Sequence, residues 1–315
     1  MLLITGSTGF IGRDTVRSLT SEGHSIRTLL RPSRKTPNLP RGVPVEVALS
    51  SLEDPRGVRA ALVDVDAVIH LASGERYGSR DYDPDLELEG TRNLANAAAD
   101  AGVNRFIYLS QLGAEPTSAY VTLRAKAMCE DSIRRSGIPF TIIRSGIVFG
   151  PQDRFTSSLA MMLALAPGFF LVPGSGETLL QPLWIEDLIT TIAWTLDEEA
   201  TVGGTYDIGG PEFLSFRRIV QMVMQRTRLR RVILASRPPL LRAGAWFMER
   251  LLPDPPINSH WIDYLAVNRT AELQTLPRVF GLQPSRMETK LDYLKGKNWT
   301  REFISMQLKG RRKPG

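Results

Sequence analysis

Gly6, Gly9 and Gly12 lie at three-residue spacing between an apolar run, Leu2–Thr5, and an amphipathic run, Phe10–Ser21. The stretch Gly6-Ser7-Thr8-Gly9-Phe10-Ile11-Gly12 therefore sits where a first strand turns into a first helix. In that setting the first glycine permits a tight turn and the second lets backbone amides approach a pyrophosphate. The third lets the helix pack closely on the strand. Unpaired amides and the positive end of the helix dipole add a seat for negative charge. The chemistry implied is binding of a dinucleotide diphosphate.

A second cluster selects the dinucleotide. The next apolar run ends Leu29-Leu30-Arg31 and is followed by Arg34 and Lys35, with no acid before Glu46. A carboxylate at this strand end would hold the 2′-hydroxyl of NAD and repel a 2′-phosphate. A guanidinium instead stacks on adenine or forks onto a phosphate. NADP(H) is expected over NAD(H); if Arg31 only stacks on the base, both nucleotides remain acceptable.

Alternating short apolar runs and helical periods must position these groups. Strands are expected at Leu2–Thr5, Ser25–Leu30, Val43–Val47, Ala67–Leu71, Arg105–Leu109 and Phe140–Arg144. Helices are expected at Phe10–Ser21, Pro55–Val63, Leu86–Ala101 and Leu123–Ser136. This alternation predicts an α/β fold, a Rossmann-like doubly wound parallel sheet covered on both faces. Residues 1–150 form the expected NAD(P)-binding Rossmann domain, its sheet completed by about 183–209 through a helix at Glu186–Leu196 and a strand at Thr205–Ile208. Residues 151–182 and 210–295, the latter rich in proline and mostly helical, make a smaller region for substrate or partner. A basic tail, 296–315, is expected to be disordered from about Gly310.

Composition narrows the classes. At 43% hydrophobic and 23% charged, the 315-residue chain has a globular balance. One cysteine, Cys129, excludes an internal disulfide framework, and three histidines beside it do not suggest a metal site. The most apolar run, Ser158–Pro173, is interrupted by Pro167-Gly168 and is shorter than the ~20 residues a bilayer requires. Met1 leads directly into the first strand, so no signal peptide is expected, and the expected location is cytoplasmic, with peripheral membrane contact open to it. Seven arginines between Phe213 and Leu241, with no acid, carry +7 of a net charge of +6, which leaves −1 for the rest. No nucleic-acid motif or interleaved aromatics accompany them, so nucleic acid is not the expected partner.

In family order stand Gly6/Gly9/Gly12, His70-Leu71-Ala72, Gly90-Thr91-Arg92-Asn93-Leu94 and Arg105-Phe106-Ile107-Tyr108-Leu109-Ser110. Arg144…Phe149-Gly150-Pro151 and Gln181-Pro182-Leu183-Trp184-Ile185-Glu186-Asp187 follow. Over about 295 residues the chain thereby resembles the atypical and extended short-chain dehydrogenase/reductase superfamily. It is most similar to the branch containing the dehydrogenase-like accessory subunit of respiratory complex I, through Pro255-Pro256, Asn268, Phe280-Gly281-Leu282-Gln283-Pro284 and Leu291-Asp292-Tyr293-Leu294. The resemblance implies nucleotide contacts from Leu71, Ala72 and Lys126. It also implies a catalytic Ser, Tyr and Lys, the last two at i and i+4 on one helix. There the ammonium lowers the phenol's pKa so that it exchanges a proton with substrate near neutrality.

Ser110 matches the family serine and Lys126 the family lysine, but four residues before Lys126 stands Thr122. Its aliphatic hydroxyl is too weak an acid to replace a phenol. The nearest tyrosine, Tyr120, lies two residues further back, and two residues turn a helix by ~200°. Within the helix it points away; in a preceding loop it is free to swing in. Tyr120 and Arg124 also have i, i+4 spacing, but arginine is a poor stand-in for the lysine. Ser51 and Ser145 replace the Asp and Pro that relatives often carry. The plain alternatives are a strand-end hydroxyl for Ser110 and a surface lysine for Lys126.

The expected function is an NADP(H)-binding, dehydrogenase-like protein with impaired Tyr–Lys chemistry. The nucleotide would act as a structural or sensing ligand within a larger complex, with membrane association open to it. The alternative is an active oxidoreductase, epimerase or dehydratase on a carbonyl or sugar-nucleotide substrate, using Ser110, Tyr120 or Thr122, and Lys126. The arginines from Arg217 to Arg237, together with Trp246 on an amphipathic run at 240–252, suit a protein complex or an anionic membrane surface. Packing of Trp246 on a neighbouring loop is the alternative.

Overall fold

The computed structural model describes residues 1–33, 36–73 and 82–311. In chain order the strands are β1 (Leu2–Thr5), β2 (Ile26–Leu30), β3 (Glu46–Leu49), β4 (Ala67–His70), β5 (Arg105–Gln111), β6 (Phe140–Ser145), β7 (Val148–Phe149), β8 (Phe169–Pro173), β9 (Leu179–Leu180), β10 (Leu183–Trp184), β11 (Gly204–Ile208), β12 (Leu214–Ser215) and β13 (Val232–Ser236). The helices are α1 (Phe10–Ser21), α2 (Pro55–Ala61), α3 (Pro84–Asp100), α4 (Val121–Arg135), α5 (Phe155–Leu165), α6 (Ile185–Asp197), α7 (Phe216–Thr227), α8 (Pro238–Leu251), α9 (Ser259–Tyr264), α10 (Thr275–Phe280), α11 (Met287–Lys290) and α12 (Trp299–Arg311).

A seven-stranded sheet in the order β11–β6–β5–β4–β1–β2–β3, parallel throughout, forms the centre. The strand order reverses direction at β1, flanked by β2 and β4, so the crevice beyond the C-terminal end of β1 is the switch point where a doubly wound sheet binds ligands. Because helices cover both faces, the inner strands are buried along their whole length and read as continuous apolar runs. Residues of α2, α3 and α4 pack one face around Leu3, Val68 and Phe106; residues of α1, α6 and α10 pack the other around Ile4, Ile69 and Ile107.

Local chemistry sets the boundaries. Asp83 caps α3 by accepting from the amides of Asp85 and Leu86, and Pro84 takes the first helical position. The third strand begins at Glu46, later than the apolar run Val43–Val47 suggests. Its register is fixed by Arg27, which lies opposite Glu46 and donates to it at 2.8 Å, while Val43 and Val45 pack beneath as loop residues.

A second core joins β7, α5, β8 and α7 with residues 261–299. The 210–295 stretch is mostly helical as expected, but it also holds β13, which pairs in parallel with β8. Gly310 and Arg311 close α12, and residues 312–315, the rest of the tail expected to be disordered, lie outside the described residues. Trp299, Phe303 and Met306 pack into the second core, and Gln307 bonds the backbone of Asp254 at both its carbonyl and amide. No helix among the described residues is long and apolar enough to cross a membrane.

Candidate nucleotide site

The glycine loop occupies the end of β1. Gly6 has φ +75°, and a Cβ there would meet the Ala72 amide at 2.6 Å and the Leu71 carbonyl at 2.7 Å. A Cβ on Gly12 would lie 2.2 Å from the Gly6 carbonyl oxygen. These close approaches are the physical reason for the spacing: β1, α1 and the Leu71–Ala72 backbone are stacked with no room for side chains. No side chain caps α1, so its first-turn amides are left for a ligand. A cavity of about 350 Å³ opens over them, lined by the loop, Leu71, Ser73, Leu109–Gln111, Lys126, Ser145–Val148, Arg154 and Phe155. Cradle, helix end and cavity together fit a dinucleotide.

Behind the loop runs a buried polar chain. The Ala72 amide donates to Thr5 Oγ1 at 3.3 Å, and Thr5 Oγ1 lies 2.6 Å from His70 Nδ1. His70 Nε2 lies 3.0 Å from Thr91 Oγ1, whose own proton goes to the Glu87 carbonyl at 2.8 Å. Thr91 must therefore accept from Nε2–H, which makes Nδ1 the acceptor for the Thr5 hydroxyl. Burial, reinforced by the charge of Lys126, holds the imidazole neutral with its pKa lowered to about 3. The chain ties β1, β4 and α3 into one rigid floor.

Two further charged groups on α4 are buried. Lys126 ion-pairs with Glu87 at 2.8 Å, Ser73 donates to the same carboxylate at 3.2 Å, and the ammonium lies 5.2 Å from the Tyr108 ring centroid. A surface lysine is thereby excluded. One turn on, Glu130 is fully buried and accepts from Ser110 Oγ at 2.6 Å and from Arg144 at 2.7 and 2.8 Å. Nothing in the spacing of Ser110 and Lys126 alone announces Glu87 or Glu130.

The structure brings Ser110 and Lys126 to the cavity wall but not Thr122 or Tyr120. Thr122 is buried on α4. Tyr120 is the N-cap of α4 with extended backbone (φ −97°, ψ 123°), so it precedes the helix as the loop alternative requires. Its ring faces Arg269, whose guanidinium lies 5.8 Å from the centroid and is anchored to the Tyr264 and Leu112 carbonyls.

At the adenosine end, Arg31 is mostly exposed and approaches Glu53 at 3.8 Å. Arg34 and Lys35 lie outside the described residues. Ser7 is buried in the loop, while Thr8 is exposed at its crest.

Residues 6–155 match the NAD(P)H-binding family model. Among curated relatives, the chain is 29% identical to "NADH dehydrogenase [ubiquinone] 1 alpha subcomplex subunit 9, mitochondrial" of Arabidopsis thaliana over 71% of its own length, a match that spans 57% of that subunit. It is 28% identical to "Sterol demethylase protein B" of Methylococcus capsulatus over 95% of the chain and 98% of that protein. Its fold is shared with an NADPH-dependent quinone oxidoreductase of Escherichia coli at a TM-score of 0.73 and 19% identity, covering 93% of this chain and 99% of that one.

Proposed function

We propose, for a chain that is an NAD(P)-binding protein of the short-chain dehydrogenase/reductase type, that NADP(H) is a held ligand and the ordinary Tyr–Lys proton relay does not operate. The observation that carries this reading is the commitment of the relay's partners elsewhere. Lys126 is paired with buried Glu87, and Thr122 stands where a phenol would be needed. Ser110 gives its proton to Glu130 and so faces the cavity as an acceptor, unsuited to polarising a carbonyl. Gly6, Gly9, Gly12 and the α1 amides would hold the diphosphate, Arg31 the 2′-phosphate, and Lys126 the nicotinamide ribose. The nucleotide would stabilise the fold by mass action within a larger assembly, as the relationship to a respiratory-complex subunit suggests.

A second reading is favoured by one observation: the relative matched end to end is named as a sterol demethylase protein. The carbonyl of an otherwise apolar substrate over Phe10, Ile147 and Phe155 would then take hydride from NADPH at its carbon and a proton from Tyr120, swung in from its loop, at its oxygen, leaving an alcohol and NADP+.

The nucleotide released from purified protein decides between them. Stoichiometric NADPH that stays reduced with lipid ketone, quinone and sugar-nucleotide substrates supports the first reading. Turnover that falls at least tenfold in Tyr120→Phe supports the second and overturns the first.

A further inference from the structure

A second apolar surface lies on β8, β13 and α8, among residues that do not line the nucleotide cavity. The outer residues of β8 and β13 are apolar in register: Val232 opposite Phe169 and Leu234 opposite Leu171, all four exposed. The helix α8 begins two residues after β13 ends and packs beside β8. Its inward stripe is Leu241, Ala245 and Met248, while Leu240, Phe247 and Leu251 lie outward, each more than half exposed. The amphipathic run at 240–252 thus keeps part of its apolar surface toward solvent. Trp246 is 53% exposed, with the Arg250 guanidinium 4.6 Å from its ring centroid.

Charge surrounds this face. From Phe213 to Met248 there are eight arginines and no acid. Arg217, Arg226 and Arg242 are paired with Glu177, Asp292 and Asp263. Arg218, Arg228, Arg230, Arg231 and Arg237 have no acidic partner among the described residues, and the last four bracket β13 at its two ends.

We propose that the β8–β13–α8 face seats this protein on an anionic lipid surface. Apolar side chains would enter the headgroup boundary, with Trp246 at interfacial depth and the bracketing arginines on lipid phosphates. Charge complementarity selects this occupant. A second copy using the same face about a twofold axis would oppose arginine to arginine. The placement is independent of the nucleotide reading, so either fails without the other.

The test is flotation of the full chain with phosphatidylcholine vesicles, with and without 30% phosphatidylglycerol as a probe of roughly physiological charge. At least tenfold tighter binding to the anionic vesicles is expected. A tenfold loss is expected in Phe247→Ser/Leu251→Ser and, separately, in Arg230→Glu/Arg237→Glu. Both variants should keep the wild-type melting temperature and nucleotide affinity, since they alter exposed side chains. Equal binding to both vesicles, no binding, or variants that bind like wild type would overturn the proposal. So would concentration-dependent dimerisation abolished by Phe247→Ser/Leu251→Ser, which assigns the face to a second copy.

Discussion

Lys126 and Glu130 stand one turn apart on α4, both buried: Lys126 is paired with Glu87 on α3, and Glu130 with Arg144 on β6 and with Arg134 one turn on. Opposite charges at this spacing would ordinarily satisfy each other. Here each is turned to a different neighbouring element, so α4 is locked to α3 on one side and to the end of the sheet on the other. Ser110 joins the second pair through its hydrogen bond to Glu130, which makes it part of a structural network.

Glu130→Gln tests that network. The change keeps shape but leaves Arg144 without its main counter-charge and weakens the acceptor for Ser110. Breaking a buried pair costs about 3–5 kcal/mol. The lower end is expected because Arg144 is partly exposed and has Asp207 at 3.8 Å. Urea unfolding should show a loss of about 3 kcal/mol; a loss near zero would mean that Glu130 does not anchor Arg144.

The two helix-side glycines separate folding from binding. At Gly12 an added Cβ meets backbone at 2.2 and 2.7 Å, so Gly12→Ala must push α1 off β1. An overpacking cost of about 1–3 kcal/mol and at least tenfold weaker NADPH binding are expected. At Gly9 the nearest atom is the Gly6 carbonyl oxygen at 3.2 Å. Gly9→Ala should therefore keep the melting temperature within a few degrees and lose affinity alone. Equal melting temperatures for the two variants would contradict the stacking described for the loop.

Acid should destabilise the floor of the site through His70. Its folded-state pKa is lowered to about 3 from 6.5, first by burial and then by Lys126. Only the neutral ring fits, so the stabilisation is complete above pH 6.5 and is lost as pH falls from there toward 3. Linkage gives about 2 kcal/mol lost by pH 5. Unfolding free energies at pH 7.5 and 5.0 should differ by roughly that much more in wild type than in His70→Gln. Parallel pH dependences in the two proteins would show that His70 titrates normally.

The glycine loop and the bounds of β1 and α1 were legible because a strand, a turn and a helix are encoded locally, in spacing that a reader sees. That Thr122, not a tyrosine, stands four residues before Lys126 is equally plain without a structure. Glu87 and Glu130 were hidden because their roles come from tertiary burial. In sequence Glu87 sits within Leu86-Glu87-Leu88-Glu89, indistinguishable from its exposed neighbour Glu89. The pairing of β13 with β8 was hidden for the same reason: the partners lie some sixty residues apart, and Val232–Ser236 sits within an otherwise helical, arginine-rich stretch. The tail helix depends on Trp299 and Phe303 reaching a core that only the fold assembles.

If the proposed preference for NADP(H) holds, Arg31 is the residue that must carry it, and its surroundings are mixed. Its guanidinium is exposed at the end of β2, where a 2′-phosphate would lie, yet Glu53 stands 3.8 Å away and would repel that phosphate. A guanidinium that forks onto the phosphate acts on NADPH alone, whereas one that stacks on adenine acts on both nucleotides. Arg31→Ser should therefore weaken NADPH at least tenfold, about 1.4 kcal/mol, and leave NADH within twofold. Glu53→Gln should shift the ratio the other way by removing the competing charge. Titration calorimetry with both nucleotides reads the two variants directly. A fall of equal size for NADPH and NADH in Arg31→Ser would reduce Arg31 to a stacking role and leave the preference for NADP(H) without support.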